Sequence, residues 1–308
     1  MTGNIATRLL TSLFVVTGSS VLVFIIMYIL PGDPVLQMLN GNATTPEAIA
    51  ALRHELGLDR SFYQQFFDYF SRLLQGDFGQ SRVNRDPVLP KILKHAPATL
   101  MLTLVSTLFS VVIGILLGVL SAVYRNGIID FMARLVGLFG ISMPAFWTGI
   151  LLLLVFSIQL GWFPSMGSDG WKTLVLPGLA LGLIGAGFIV RLVRNTMLEV
   201  LGEPFILTLR AKGIRERSVM YRHALRNSLI PALTLVGVTI GELLSGTVVI
   251  ETVFSRQGIG RILAEAILSK DIPVVQGVVF FTAIIYVGVN LLVDLSYLFV
   301  DPRLRRLQ

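Results

Sequence analysis

An all-α polytopic membrane protein with six transmembrane helices is the fold class this sequence predicts, and three observations predict it. Of the 308 residues, 54% are hydrophobic and 14% charged, and the mean hydropathy is +0.77. That balance is too apolar for a water-soluble globule. Charge-free runs long enough to cross a bilayer recur along the chain. Lys and Arg gather between those runs, above all in residues 205–231, FILTLRAKGIRERSVMYRHALRNSLIP, where bases at 210, 212, 215, 217, 222 and 226 face one acid, Glu216. A basic segment between apolar runs is expected on the cytoplasmic side.

The first span, residues 9–30, carries no charge over 22 residues and follows an N-terminus whose only charged side chain is Arg8. It is too long for a signal-peptide core and ends in Leu30-Pro31-Gly32-Asp33-Pro34, a turn sequence, so an uncleaved transmembrane helix over 1–30 is expected. Residues 31–95 hold seven acids and seven bases and form a large extracytoplasmic loop. Thr45-Pro46-Glu47 reads as N-cap, N1 proline and first-turn acid of a helix stopped by Gly57. Ser61 caps a second helix to Gln75, which aligns Phe62, Phe66, Phe70 and Leu73 on a face suited to packing on neighbouring spans.

A five-helix core over 96–300 follows, with a tail at 301–308. Its first run, 96–124, contains Gly114-xxx-Gly118, a spacing that lets helices approach closely. Arg125, Asp130 and Arg134 mark a short inner turn. The next run, 135–160, is expected to kink at Ser142-Met143-Pro144, where proline removes a helical donor. Trp162 and Trp171 sit at an outer interface. The fourth span, about 173–190, contains Gly178-xxx-Gly182, Gly185 and Gly187. Those glycines lack the Lys-Ser/Thr and the later acid of a nucleotide site, so they read as packing. After the basic loop at 196–230, the fifth span runs over 231–253 with Gly237-xxx-Gly241, and the sixth over 272–300. Six spans put both termini, 125–134 and 191–230 inside, and those segments hold 14 of the 25 Lys/Arg. The net charge of +7 is thereby a topology signal, and no nucleic-acid partner is called for.

No catalytic set emerges. The chain has no cysteine, hence no disulfide, Cys-ligated metal site or thiol nucleophile, and His54, His95 and His223 have no metal-ligand spacing. Walker A, HExxH and GxSxG sequences are absent, so ATP hydrolysis is not expected of this chain alone. Two acids fall within spans, Glu242 near the middle of the fifth and Asp294 in the sixth. A charge at the bilayer centre costs about 2.5 to 3.5 kcal/mol. Glu242 should therefore face protein or a water-filled path, and with Ser245, Asn290 and Asp294 it forms a set of translocation-path candidates. Pro204 to Lys212 predicts a short helix closed by Gly213, followed by a second carrying Arg217, Arg222 and Arg226. Such an element either docks in a groove of another protein or rests on anionic membrane lipid.

Collinear motifs narrow the choice: the Leu30–Pro34 turn, Gly76-Asp77-Phe78-Gly79, Ser142-Met143-Pro144-Ala145-Phe146-Trp147, Arg210-Ala211-Lys212-Gly213 with His223-Ala224-Leu225-Arg226-Asn227, Glu251-Thr252-Val253-Phe254, Gly258-Ile259-Gly260-Arg261 and Asp301-Pro302-Arg303. Over essentially its whole length the sequence resembles the inner-membrane permease subunits of binding-protein-dependent ABC importers, in the dipeptide/oligopeptide/nickel group. The resemblance implies a type I importer permease fold in a bacterial inner membrane. It also implies a second homologous permease, two ATPase subunits that bind ATP and Mg, an extracytoplasmic substrate-binding protein, and no cofactor on this chain. The cargo implied is a peptide or a related solute: dipeptide, oligopeptide, glutathione, nickel or metallophore, or haem. The ATPase-coupling loop maps onto Arg210, Ala211, Lys212, Gly213 and His223. Leu207 stands where the general coupling motif has glutamate, and Leu209 where it has a small residue, so no Glu-mediated contact is assigned. An ion-gradient-driven secondary transporter is the alternative; it would call for inverted repeats, and the two halves give no convincing repeat.

Overall fold

The computed structural model describes residues 2–29, 35 and 45–300, with side chains for 10–29, 35 and 45–293. The turn at 30–34, the tail at 301–308 and the Asp294 side chain lie outside the described residues. The described chain is helical: α1 Thr2–Ile29, α2 Pro46–Glu55, α3 Phe62–Leu74, α4 Val88–Val123, α5 Ile128–Ser142, α6 Ala145–Gln159, α7 Lys172–Leu201, α8 Pro204–Ala211, α9 Glu216–Val253, α10 Ile259–Leu268 and α11 Ile272–Val300. Five helices are long and apolar enough to cross a membrane, or six if α5 and α6 count as one broken span.

Several boundaries depart from the expected ones. α4 begins at Val88, not at 96, because Lys91, Lys94 and His95 interrupt the hydropathy without interrupting helical hydrogen bonding, and Pro97 is accommodated inside the helix. Asp130 and Arg134 belong to α5, so the turn before it is confined to 124–127. The expected kink at Pro144 is a break of 116°. Met143, restricted by the following proline, is extended at φ −95°, ψ 133°, and Pro144 is extended as well at φ −60°, ψ 139°. Two consecutive extended residues redirect the chain where a single missing donor would only bend it. The last seven residues of α6, Leu153–Gln159, are wound as a π-helix. α9 begins at Glu216, absorbs a π turn at Val219–Ala224 and passes through Pro231 without a break. α10 was not anticipated at all.

The chain divides into two compact units. The first comprises Met1–Pro97 and Arg261–Val287. Thr45 caps α2 by accepting from the Ala48 amide, and a Ser61–Gln64 capping box starts α3. The aromatic face of α3 packs on α1, with the Phe24 ring 5.5, 5.3 and 5.5 Å from Phe62, Phe66 and Tyr69. Asp271, just before α11, accepts from the Ser81 hydroxyl at 2.5 Å and the Arg82 amide at 3.0 Å, which ties the segment before α4 to α11.

The second unit comprises Ala98–Gly260 and Gly288–Gln308, and α7 is its axis. Gly178 and Gly182 abut Val105 and Phe109 of α4, while Gly114 and Gly118 of α4 abut Ile189 and Val193 of α7. Both numberings rise together, so α4 and α7 run parallel. Gly137 and Gly140 of α5 meet Val190 and Leu183 of α7 in reverse order, so α5 runs antiparallel to it. These contacts leave no room for a methyl group: a Cβ on Gly140 would lie 2.1 Å from the Leu183 carbonyl oxygen, and one on Gly187 would lie 2.4 Å from that of Gly137.

The buried side of α4 mixes Thr99, Thr103, Ser106 and Ser110 with Ile92, Leu102 and Val119; Ser106 and Ser110 return their hydroxyls to carbonyls one turn back and Ser110 also reaches Gly182 O at 2.9 Å. Its exposed side, Leu100, Met101, Leu104, Leu108, Val112, Leu116 and Leu120, is wholly apolar. That contrast suits a helix whose outer solvent is hydrocarbon and whose contacts are made by close backbone approach.

Candidate functional site

Three features of the second unit carry charge into well-defined places: the turn after α7, a buried aspartate beside it, and the C-terminal end of α9 with the face leading to it.

The turn begins at Gly202, with Pro204 at N1 of α8. α8 ends in a complete Schellman motif, the Gly213 amide bonding to Arg210 O at 2.9 Å and the Ile214 amide to Leu209 O at 3.2 Å. Gly213 has φ +74°, a conformation costly for any residue with a side chain, and nothing lies within 4 Å of where a Cβ would stand. Arg210 closes the turn by a bidentate contact to Glu216, Nη2 at 2.5 Å and Nε at 3.1 Å. Ile206 is fully buried and anchors α8, while Phe205, Leu207, Ala211, Lys212 and Gly213 are exposed. Arg210 occupies the only acid of the segment, and Arg215, Arg217 and Arg222 form no ion pair among the described residues; with Ser218 and Tyr221 they line an open cleft of about 400 Å³. Arg210, Ala211, Lys212 and Gly213 are thus assembled in one turn. His223 lies apart on the π turn of α9, half-buried, its carbonyl accepting from Asn227.

Beside this end of α7, Asp130 is completely buried. It accepts from Ser121 Oγ at 2.5 Å, the Asn126 amide at 3.0 Å and both nitrogens of an Arg194 fork at 2.8 and 3.0 Å, with Arg134 Nε at 3.3 Å. One carboxylate therefore joins α4, α5 and α7. Sequence reasoning placed it in a short inner turn and counted Arg194 with the inner basic segment at 191–230, so the pairing of the two was missed.

At the other end of α4 and α7, a second carboxylate was also overlooked. Glu251 on α9 is fully buried, receives the Thr99 hydroxyl at 2.5 Å, and lies beneath Gly258 and Gly260, where any Cβ would collide with it. Thr99 in turn accepts the Ile259 amide at 2.9 Å, capping the start of α10. Buried Arg256 donates from Nη1 to Thr173 at 3.4 Å, and the Gln257 amide donates to Ser168. α9 consequently ends where α4 and α7 begin and runs antiparallel to both.

Of the translocation-path candidates, Glu242 and Ser245 share the exposed face of α9, Asn290 is half-buried on α11, and the Asp294 side chain is not described. Glu242 makes no hydrogen bond or ion pair among the described residues.

Comparison with known proteins agrees with this architecture. Residues 114–306 match the family described as the inner membrane component of binding-protein-dependent transport systems, and residues 1–103 match its N-terminal companion family. The glutathione transport system permease protein GsiC of Escherichia coli K12 is 40% identical over 297 residues, which are 96% of each chain, and GsiC of Shigella flexneri is 39% identical over the same span. Among solved structures, the inward-facing MetNI methionine ABC transporter matches with a TM-score of 0.60 at 22% identity, over 70% of this chain and 98% of that one, a likeness of fold. Family membership removes the ion-gradient alternative. The chain belongs to the binding-protein-dependent inner membrane components: it is a multi-pass permease of a bacterial ABC importer.

Proposed function

We propose that this chain forms half of the translocation path of an ATP-driven importer, beside a second homologous permease, and that two ATPase subunits, which bind ATP and Mg, dock on the turn at Arg210–Gly213. A binding protein delivers the solute from outside. The solute is a peptide or a related small molecule, with glutathione, carried by the similar GsiC system, a leading candidate.

The carrying observation is how far the turn stands from the charge-free part of the bundle. α7 continues 11 residues beyond Val190, the last residue before Arg191 and Arg194, and α9 runs 10 residues from Glu216 to Arg226, its last base. At 1.5 Å per residue both arms project by about 15 Å. The headgroup layer is only about 5 to 8 Å deep on each side. A turn held beyond it by two helices is poorly placed to rest on lipid and well placed to enter a groove on a protein. Exposed Phe205 and Leu207 supply an apolar contact, and the arginines around them favour an acidic rim on the partner. Leu207, at the position of the general motif's glutamate, makes that contact hydrophobic.

The parallel course of α4 and α7 supports counting the broken α5–α6 pair as one crossing, because the chain must return between their ends. With six crossings both termini share a side, and the excess of Lys and Arg there supports reading that side, with the basic turn, as the cytoplasm. α9 then forms a lever, joined to the docking turn at one end and to the Glu251 cluster at the other.

Gly213→Glu tests the docking role. The variant should reach the membrane and assemble with the partner permease, yet lose co-purification with the ATPases or uncouple ATP hydrolysis from uptake. Wild-type uptake would refute the assignment.

A further inference from the structure

The exposed faces of α4 and α9 differ in chemistry. That of α4 is apolar from Leu100 to Leu120, as hydrocarbon requires. On α9, exposed residues recur at three- and four-residue spacing as Pro231, Thr234, Val238, Glu242, Ser245, Val249 and Thr252, and four of these seven are polar. Glu242 lies 16 residues past Arg226 and 11 before Val253, deep within the span. A carboxylate there is costly against lipid, and the described structure gives it no partner.

The hydroxyls beside it are already committed as donors. Ser245 donates to Gly241 O at 3.3 Å and Thr252 to Val248 O at 2.8 Å. Their oxygens keep lone pairs for accepting, and α9 carries no Lys, Arg or His between Arg226 and Val253. Glu242, an acceptor carrying negative charge, is therefore flanked by hydroxyl oxygens that can accept as well. The complementary ligand is a cationic multiple donor.

We propose that Glu242 and Ser245 form a cation station on the translocation path that receives the ammonium group of the passing solute. This rests on the reading of the open α9 face as path-lining. It specifies a solute class, zwitterions or cations with a free amino group, and gives Glu242 a role in holding one end of the solute in mid-membrane.

The absence of cysteine from this chain makes a direct test available. Ser245→Cys, in the assembled importer in proteoliposomes, is exposed to trimethylammonium-ethyl and sulfonatoethyl methanethiosulfonate with and without ATP. Modification is read as the mass of this chain and normalised to the rates with free cysteine. Residues three apart on a helix lie about 5 to 6 Å apart, so Glu242 should favour the cationic reagent at least about tenfold. The preference should vanish in Ser245→Cys/Glu242→Gln and persist in Ser245→Cys/Glu242→Asp. Modification without charge preference, or with an anionic preference such as a partner cation paired to Glu242 would give, leaves the path reading standing and overturns the cation station. No modification in either nucleotide state overturns both.

Discussion

Replacing Asp130 by asparagine isolates the strongest polar contact in the second unit. Five donor groups converge on the carboxylate and nothing there accepts from it: Ser121 Oγ, the Asn126 amide, two Arg194 nitrogens and the more distant Arg134. Asparagine is nearly isosteric but presents an NH₂ group at one of the two oxygen positions. If it replaces Oδ2, donor faces donor at Asn126 and at Arg194 Nη2; if it replaces Oδ1, it does so at Arg194 Nε and Arg134 Nε, while the Ser121 hydroxyl can turn to accept. Either way a hydrogen bond to the charged Arg194 is lost, and Arg194 loses its counter-charge. Breaking one partner of a buried pair costs about 3 to 5 kcal/mol. Arg194 retains 17% side-chain exposure and can recover some hydration, so the low end, about 3 kcal/mol, applies. For a chain of 308 residues that lowers the midpoint of thermal inactivation by about 5 °C. The assay is the temperature at which half of the detergent-solubilised protein survives gel filtration. Arg134→Ala is the control: Arg134 is 54% exposed and sits at 3.3 Å, so its removal should cost less than about 1 kcal/mol. A shift under about 2 °C for Asp130→Asn, or an equal shift for Arg134→Ala, would refute the hub.

Two further outcomes follow from the packing. Gly140→Ala pushes a methyl group toward a backbone carbonyl that cannot rotate away, and should destabilise by about 1 to 3 kcal/mol in the same assay; Gly18→Ala, with nothing within 4 Å of its Cβ, should be neutral. Thr99→Val removes both the donor to Glu251 and the acceptor of the Ile259 amide, at a cost of about 2 to 4 kcal/mol, and should accelerate hydrogen exchange at Ile259. Thr99→Ser should restore protection, and unchanged exchange in Thr99→Val would sink the capping role.

Hydropathy made the spans legible because lipid-facing residues must be apolar whatever their tertiary partners. The glycine spacings were legible for a related reason, since closely packed helices leave few alternatives to glycine. The turn at Gly213 could be read locally, because a helix stop is a matter of a few neighbouring residues. Asp130 and Glu251 were not legible. Each sits near an end of a span, where a charge ordinarily reads as the water boundary, and only the fold brings in Arg194 from 64 residues away or Thr99 from 152. The same limit applied to α4, whose start was obscured by three basic residues, and to Pro144. A proline announces a disturbance; whether the chain bends or turns by 116° depends on the conformation of Met143 as well.

The reversal at Met143–Pro144 bears on how the protein enters a membrane. α5 has 15 residues and spans about 22 Å, and the 15-residue α6 is no longer. Neither reaches across the roughly 30 Å of hydrocarbon alone. Seating α5 against the glycines of α7 supplies by close packing the hold that its length does not, so stable insertion of α5 and α6 is expected to require α7, which a truncation ending before residue 172 would report.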